Sequence, residues 1–215
     1  KKLGIEPRTH YCDLGGVLNI TKEILSKKNR GRALRCGISI VPECGLQPGA
    51  GNVHMMELYE KYFGTGISWL KAIIDSMTVY VCGFPKTSPY YKELFNLKGL
   101  EEIFYNSPLV LSNGKPRKIR RLSHYETISS TRFGLYFGEK NGVEMEAAVT
   151  GGLGMLPYYM KEAVRTLQEK TLRYREHYEF VKNTPREKFI ESIKKLVSQC
   201  PANEKDFSLV HIEAI

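Results

Sequence analysis

From Val41 to Asn52 the chain reads VPECGLQPGAGN, an apolar strand running into a glycine-punctuated turn and then into a helix. Cys36, Ile38, Ile40 and Val41 supply the strand. Gly45, Pro48, Gly49 and Gly51 build a turn too tight for larger side chains, and Val53 to Phe63 carry helical spacing. In open α/β sheets ligands sit at this strand-to-helix edge, and a helix start lined with glycines lets a ligand reach free backbone N–H groups. A structural glycine turn accounts for the same spacing equally well.

Upstream, residues 9–14 (THYCDL) form a short strand ending at an acidic residue, and residues 17–28 have the apolar spacing of a helix. The strand over 36–42 and the helix over 49–63 complete a second unit. Strand–helix–strand–helix with short connections is the signature of a parallel sheet. A full dinucleotide domain has about six strands, so these are residual parallel βα units.

Downstream the character changes. Ile73 to Gly83 is a long apolar strand, and residues 98–105 suit a short helix. Asn113-Gly114 and Asn141-Gly142 each mark a hairpin, the first between Leu109–Leu111 and Arg117–Arg121, the second between Phe133–Phe137 and Val143–Thr150. Pro157 opens an expected helix running to Gln168, Lys170 to Tyr174 are extended, residues 186–198 are an amphipathic helix, and Phe207 to Ile212 a last strand. The expected class is α+β: residual parallel units in 1–66, then a mostly antiparallel sheet covered by helices in 67–215.

Composition narrows the function. With 215 residues, 42% hydrophobic and 26% charged, the chain reads as globular. No run approaches the roughly 18 apolar residues of a membrane span, and no signal peptide opens the chain. It starts at Lys1 and passes straight into a strand, as a fragment whose earlier part is missing would. The five cysteines, Cys12, Cys36, Cys44, Cys82 and Cys200, have irregular spacing and no CxxC pair, which argues against a metal site or a disulfide framework and for reduced thiols in the cytoplasm. The net charge of +9 raises the question of nucleic acid. The densest basic cluster, Lys115 to Arg121, alternates like the solvated face of a hairpin and lacks interleaved aromatics, which argues against it.

Five stretches in order, HYCDLGG (10–16), ECGLQPGAGN (43–52), VYVCGFP (79–85), EAAVTGGLGMLPY (146–158) and KTLRYREHYE (170–179), resemble the saccharopine dehydrogenase-like family of amino-acid oxidoreductases, nearest its lysine 6-dehydrogenase branch. The resemblance implies an N-terminal Rossmann domain binding NAD or NADP, and a second domain that covers the amino-acid substrate and makes a homo-oligomer, a dimer in the simplest case. The family's GxGxxG loop has no counterpart here. Gly151-Gly152-Leu-Gly154 follows an antiparallel strand and is not read as a phosphate cradle. Gln47 stands where saccharopine-reducing members carry an acidic residue, which favours the lysine dehydrogenase branch, and RYREH replaces the family's RYPGH.

Oxidising an amine by hydride transfer requires a C–H bond aimed at the nicotinamide, a neutral amine and a held carboxylate. Asp13, at a strand end, could meet the ammonium group or take its proton, or it could be a turn or cap aspartate. Cys44, Gly45, Pro48 and Gly49 would run beside the cofactor's ring, with Cys44 equally a small packing residue. Asn52 could bind a carboxamide or carboxylate, or cap locally. Arg173 matches a carboxylate bidentately, Tyr174 could complete the pocket, and His177 could relay a proton or be structural. The expected function is therefore part of an NAD(P)-dependent oxidoreductase acting on the CH–NH group of a basic amino acid. The alternative is a non-catalytic assembly module derived from that family.

Overall fold

A computed structural model describes residues 9–63, 74–86, 91–93, 96–137 and 142–215. The chain is α+β, with a two-stranded parallel sheet followed by a mostly antiparallel seven-stranded sheet. The expected boundary at residue 66 lies outside the described residues, as does Asn141 of the second expected hairpin turn. Among the described residues no helix is long and apolar enough to cross a membrane.

The small sheet pairs β1 (Tyr11–Cys12) with β2 (Ile40–Val41), Tyr11 opposite Ile40 and Cys12 opposite Val41. The expected strand over 36–42 is shorter than its apolar pattern. The stretch before it joins α2 (Lys27–Cys36), whose N-cap Ser26 accepts from Asn29 N and whose end is the left-handed Gly37. This cap also splits the helix expected over 17–28, leaving α1 as Leu18–Ile24. Serine competes for local backbone donors and so starts helices rather than continuing them. After the glycine turn comes α3 (Ala50–Phe63), close to its expected span.

The large sheet runs β5-β4-β8-β3-β9, with β7 pairing both β8 and β6. Its central members are β3 (Ile74–Pro85) and β8 (Val164–Tyr174), which pair in parallel from Ile74↔Val164 to Val81↔Thr171. β9 (Asp206–Ala214) lies antiparallel along the other side of β3. On the free side of β8, β4 (Leu109–Ser112) meets its first half at Leu111↔Leu167, and β7 (Glu144–Val149) its second half. β4 turns through Asn113 and Gly114, both at positive φ, into β5 (Lys115–Lys118), as the Asn-Gly signal requires.

Two expectations fail here. The helix expected from Pro157 to Gln168 is one turn, α5 (Leu156–Tyr159), and residues from Val164 onward are strand. Neighbours on both edges of β8 satisfy its backbone groups, which overrides local helix propensity. Residues 133–137 are not the strand facing β7. That place belongs to β6 (Glu126–Ser129), with a 3-10 turn over Ser130–Phe133 after it.

The helices α4 (Leu97–Tyr105), α6 (His177–Asn183) and α7 (Arg186–Ser198) bury Phe104, Tyr178, Val181, Phe189 and Ile193 together with Ala148 of β7. On the same large sheet α3 packs Met55 and Tyr59 with Met77, Val79 and Leu167. The β6 segment and the 3-10 turn cover the other side, where Ile128 and Phe133 meet Tyr80, Cys82, Met145 and Leu172.

Candidate functional site

Asp13 follows β1 directly and clasps the two strand ends. Its Oδ1 accepts from Gly15 N at 2.6 Å and from Glu43 N at 3.2 Å, and its Oδ2 from the Tyr11 hydroxyl at 2.6 Å. Burial opposes ionisation of the Asp13 carboxyl, but the hydrogen bonds from Tyr11, Glu43 N and Gly15 N outweigh it and hold the group below the usual carboxylate range. Asp13 is thus a fixed negative acceptor at the carboxyl end of a parallel pair, the position where α/β sheets bind ligands.

The turn beyond β2 closes on itself. Gly45 N donates to Pro48 O at 3.0 Å, Ala50 N donates to Gly45 O at 2.9 Å, and the Gln47–Pro48 peptide bond is cis. Pro48 and Gly49 are buried, whereas Cys44 and Leu46 are exposed. The Cys44 thiol turns back to Val41 O at 3.3 Å. Asn52 is occupied in tying elements together: its Oδ1 accepts from Gln47 Nε2 at 3.0 Å and its Nδ2 donates to Leu153 O at 3.4 Å.

Loop 151–155 faces this turn and is pinned at two points by carboxylates. Met155 N donates to Glu43 Oε2 at 3.0 Å, and Gly152 N donates to Glu169 Oε2. A Cβ at residue 154 would land against both carboxylate oxygens of Glu43, and one at residue 152 would lie 2.6 Å from Glu169 Oε2. The glycines of this loop therefore admit carboxylates rather than cradle a phosphate. Burial raises the Glu43 carboxyl above the usual range although Met155 N and Thr21 donate to it, and its Oε1 is buried without a partner. Glu169 is raised by burial in the same way, against donors from Gly152 N, Thr150 and Thr171.

The remaining expected site residues fall elsewhere. Arg173 and Tyr174 are neighbours in a strand, so they face opposite sides of the sheet. Arg173 lies on the side of α4: its guanidinium sits 5.5 Å from the centre of the Phe104 ring, Nη1 donates to Leu172 O, and Nε is buried without a partner. Tyr174 lies on the opposite face and donates to Pro85 O at 2.8 Å and to Lys86 O at 3.0 Å. His177 is buried beside Arg173, with its Nδ1 2.6 Å from the Tyr91 hydroxyl, and burial together with the Arg173 charge pushes its pKa well below 6.5. Asp13, the 44–49 turn and Asn52 thus gather at the strand ends, with Arg173 and His177 buried against Phe104 of α4.

A cleft of about 320 Å³ opens beside the strand ends. Gly16 to Asn19, which continue from Asp13, form one wall, and Gly151 and Gly154 form the floor. Glu102, Asn106 and Ser107 at the end of α4 form the far wall with Lys118 of β5. The volume is at the lower end of the range of small-ligand sites.

Sequence reasoning passed over Glu43 and Glu169. Glu43 was legible as the acidic residue at a strand end before a glycine turn. Glu169 gave no local signal, because two of its donors, Gly152 and Thr150, lie 17 and 19 residues away. Cys44 and Leu46 are exposed on this turn, but the loop amides at Gly152 and Met155 are already bonded to carboxylates and do not fit the phosphates of a nicotinamide dinucleotide. Among the described residues no group of three or more His, Cys, Asp or Glu is placed to hold a metal ion.

No family model matches the sequence. Among solved structures the chain is similar to apo histidine-tagged saccharopine dehydrogenase (L-Glu forming) from Saccharomyces cerevisiae, with 20% identity over 74% of this chain and a TM-score of 0.49. The alignment covers 35% of that protein's length.

Proposed function

We propose that this chain supplies the substrate side of an NAD(P)-dependent oxidoreductase acting on the CH–NH group of a basic amino acid. One observation carries the reading: Asp13 and Glu43, at the carboxyl ends of two parallel strands, are held together by the Glu43 N to Asp13 Oδ1 hydrogen bond, and Glu43 in turn packs against Gly154 of the loop that lines the cleft. The order of the five sequence stretches supports the same reading.

Oxidation of an amine to an imine removes a hydride from carbon and a proton from nitrogen. A nicotinamide cofactor, when bound, would supply the hydride acceptor. Asp13, held ionised by its donors, attracts the ammonium group to the strand ends. The exposed Cys44 and Leu46 would border the reacting face, and the loop pinned by Glu43 and Glu169 would floor the cleft. The chain acts within a homo-oligomer.

The test is spectrophotometric. The full-length protein is mixed with NAD or NADP and either lysine or saccharopine, and reduced nicotinamide is followed. Turnover with a basic amino acid, lost in Asp13→Ala while the circular dichroism spectrum is retained, supports the reading. Absence of turnover with both cofactors and both substrates removes it.

A further inference from the structure

Helix α2 is cationic and nothing nearby in the sequence neutralises it. From Ile24 to Pro42 the chain holds five basic residues, Lys27, Lys28, Arg30, Arg32 and Arg35, and no acidic one. All five are exposed, and the ion pairs among the described residues all lie elsewhere. They supply more than half of the chain's net charge of +9. Only Ala33 of this helix is buried. At about 3.6 residues per turn the rest of its surface falls into three rows. Lys27, Gly31 and Arg35 form the middle row, Lys28 and Arg32 one flank, and Arg30 and Leu34 the other. Leu34 is 83% exposed among these cations. Gly31 leaves the middle of the face low, although a Cβ there would meet the Arg35 side chain at 3.6 Å, an ordinary contact. Crowding within the chain therefore does not call for glycine, the weakest helix former after proline.

We propose that the outer face of α2 docks on an anionic lipid surface, with the helix lying along the membrane and Leu34 inserted among the headgroups. Clusters of about four to eight Lys and Arg on one helix are drawn to anionic headgroups, each cation strengthening binding about fivefold. The apolar side chain beside them gains by leaving water at the headgroup boundary. The low middle row lets the flanking rows reach one plane, which a bilayer presents. A nucleic-acid duplex would meet the same cations but would set Leu34 against phosphates, and α2 has no aromatic ring on which a single strand could stack. The contact is peripheral, since among the described residues no helix is long and apolar enough to cross a membrane. None of these residues lines the cleft, so the inference stands apart from the reaction proposed above.

The test is co-sedimentation of the full-length protein with vesicles of phosphatidylcholine, with and without phosphatidylserine, and with a DNA duplex as the comparison polyanion. Binding is expected only when phosphatidylserine is present. It should fall about twentyfold in Lys27→Gln/Lys28→Gln and about tenfold in Leu34→Asn. It should persist in Lys115→Gln/Arg117→Gln, which removes the same charge from two exposed positions of β5. The substituted side chains are all exposed, and an unchanged thermal melt verifies that each variant is folded. Absence of binding, equal binding to phosphatidylcholine alone, or equal loss in the β5 variant overturns the proposal. So does tighter binding to the DNA duplex, or vesicle binding that Leu34→Asn leaves unchanged.

Discussion

The carboxylate of Glu43 fills the space that a side chain at Gly154 would need. Gly154 also has φ of +56°, in the left-handed region, so two independent constraints fix the residue. They join a strand end of the small sheet to the loop that floors the cleft, across more than a hundred residues of sequence.

Gly154→Ala is therefore expected to destabilise the protein by more than about 1 kcal/mol in urea unfolding. Part of that cost is steric and disappears when Glu43 is also shortened. In the Glu43→Ala/Gly154→Ala double variant the two losses should fall short of additivity. Strict additivity would show that the carboxylate does not press on position 154.

Glu169 gives a pH signature. Burial raises its folded-state pKa above the unfolded value, so the unfolded chain releases this proton first. The contribution is complete below the usual glutamate range and is lost as pH rises through the raised folded value. Urea melts of wild type against Glu169→Gln should show wild type losing relative stability from about pH 4.3 upward. A difference that is flat with pH would contradict the assignment.

His177 has the opposite sign. Its folded pKa is depressed by burial and by Arg173, so the unfolded state takes up the proton first as pH falls. The stabilisation is complete above about 6.5 and is lost as pH drops from there toward the depressed folded value. His177→Gln should flatten this part of the stability profile. A histidine resonance in the folded protein that titrates near 6.5 and is lost in His177→Gln would refute the neutral, buried state.

The packing of β8 is testable at two residues that its pleat places on one face, Arg165 and Leu167. Leu167 is fully buried between β3 and β4, and Leu167→Ala should cost about 2–5 kcal/mol. Arg165, exposed and paired with Asp75 on the surface, should change stability by no more than about 0.5 kcal/mol when replaced by Ala. Comparable losses at both positions would contradict the burial of Leu167.

Thiol accessibility separates the cysteines. Burial raises the Cys82 thiol to about 12 despite the nearby Arg173 charge, whereas Cys12, Cys36 and Cys44 are exposed. Alkylation of the native protein followed by peptide mass mapping should label those three and spare Cys82 until denaturant is added. Labelling of Cys82 under native conditions would mean that the core around Leu172 and Met145 opens.

The legible parts of the fold were those whose cause is local. The Asn113-Gly114 turn, the amphipathic helix over 186–198, the helix after the glycine turn and the alternating β7 each carry their determinant within a few residues. The split at Ser26 was also local, and the continuous apolar pattern across it hid the cap.

What the sequence determined by itself was the α+β class, the parallel pair running into a glycine turn, and the placing of Asp13 at a strand end, because each follows from spacing and turn chemistry. The tertiary structure alone decided that residues 164–168 are strand, that Arg173 and Tyr174 face opposite sides of the sheet while His177 sits buried, and that Glu43 and Glu169 reach the glycines of one loop. Those outcomes depend on partners 17 to 112 residues apart. Whether a carboxylate is buried, and what donates to it, is fixed by where the chain returns rather than by its neighbours in sequence.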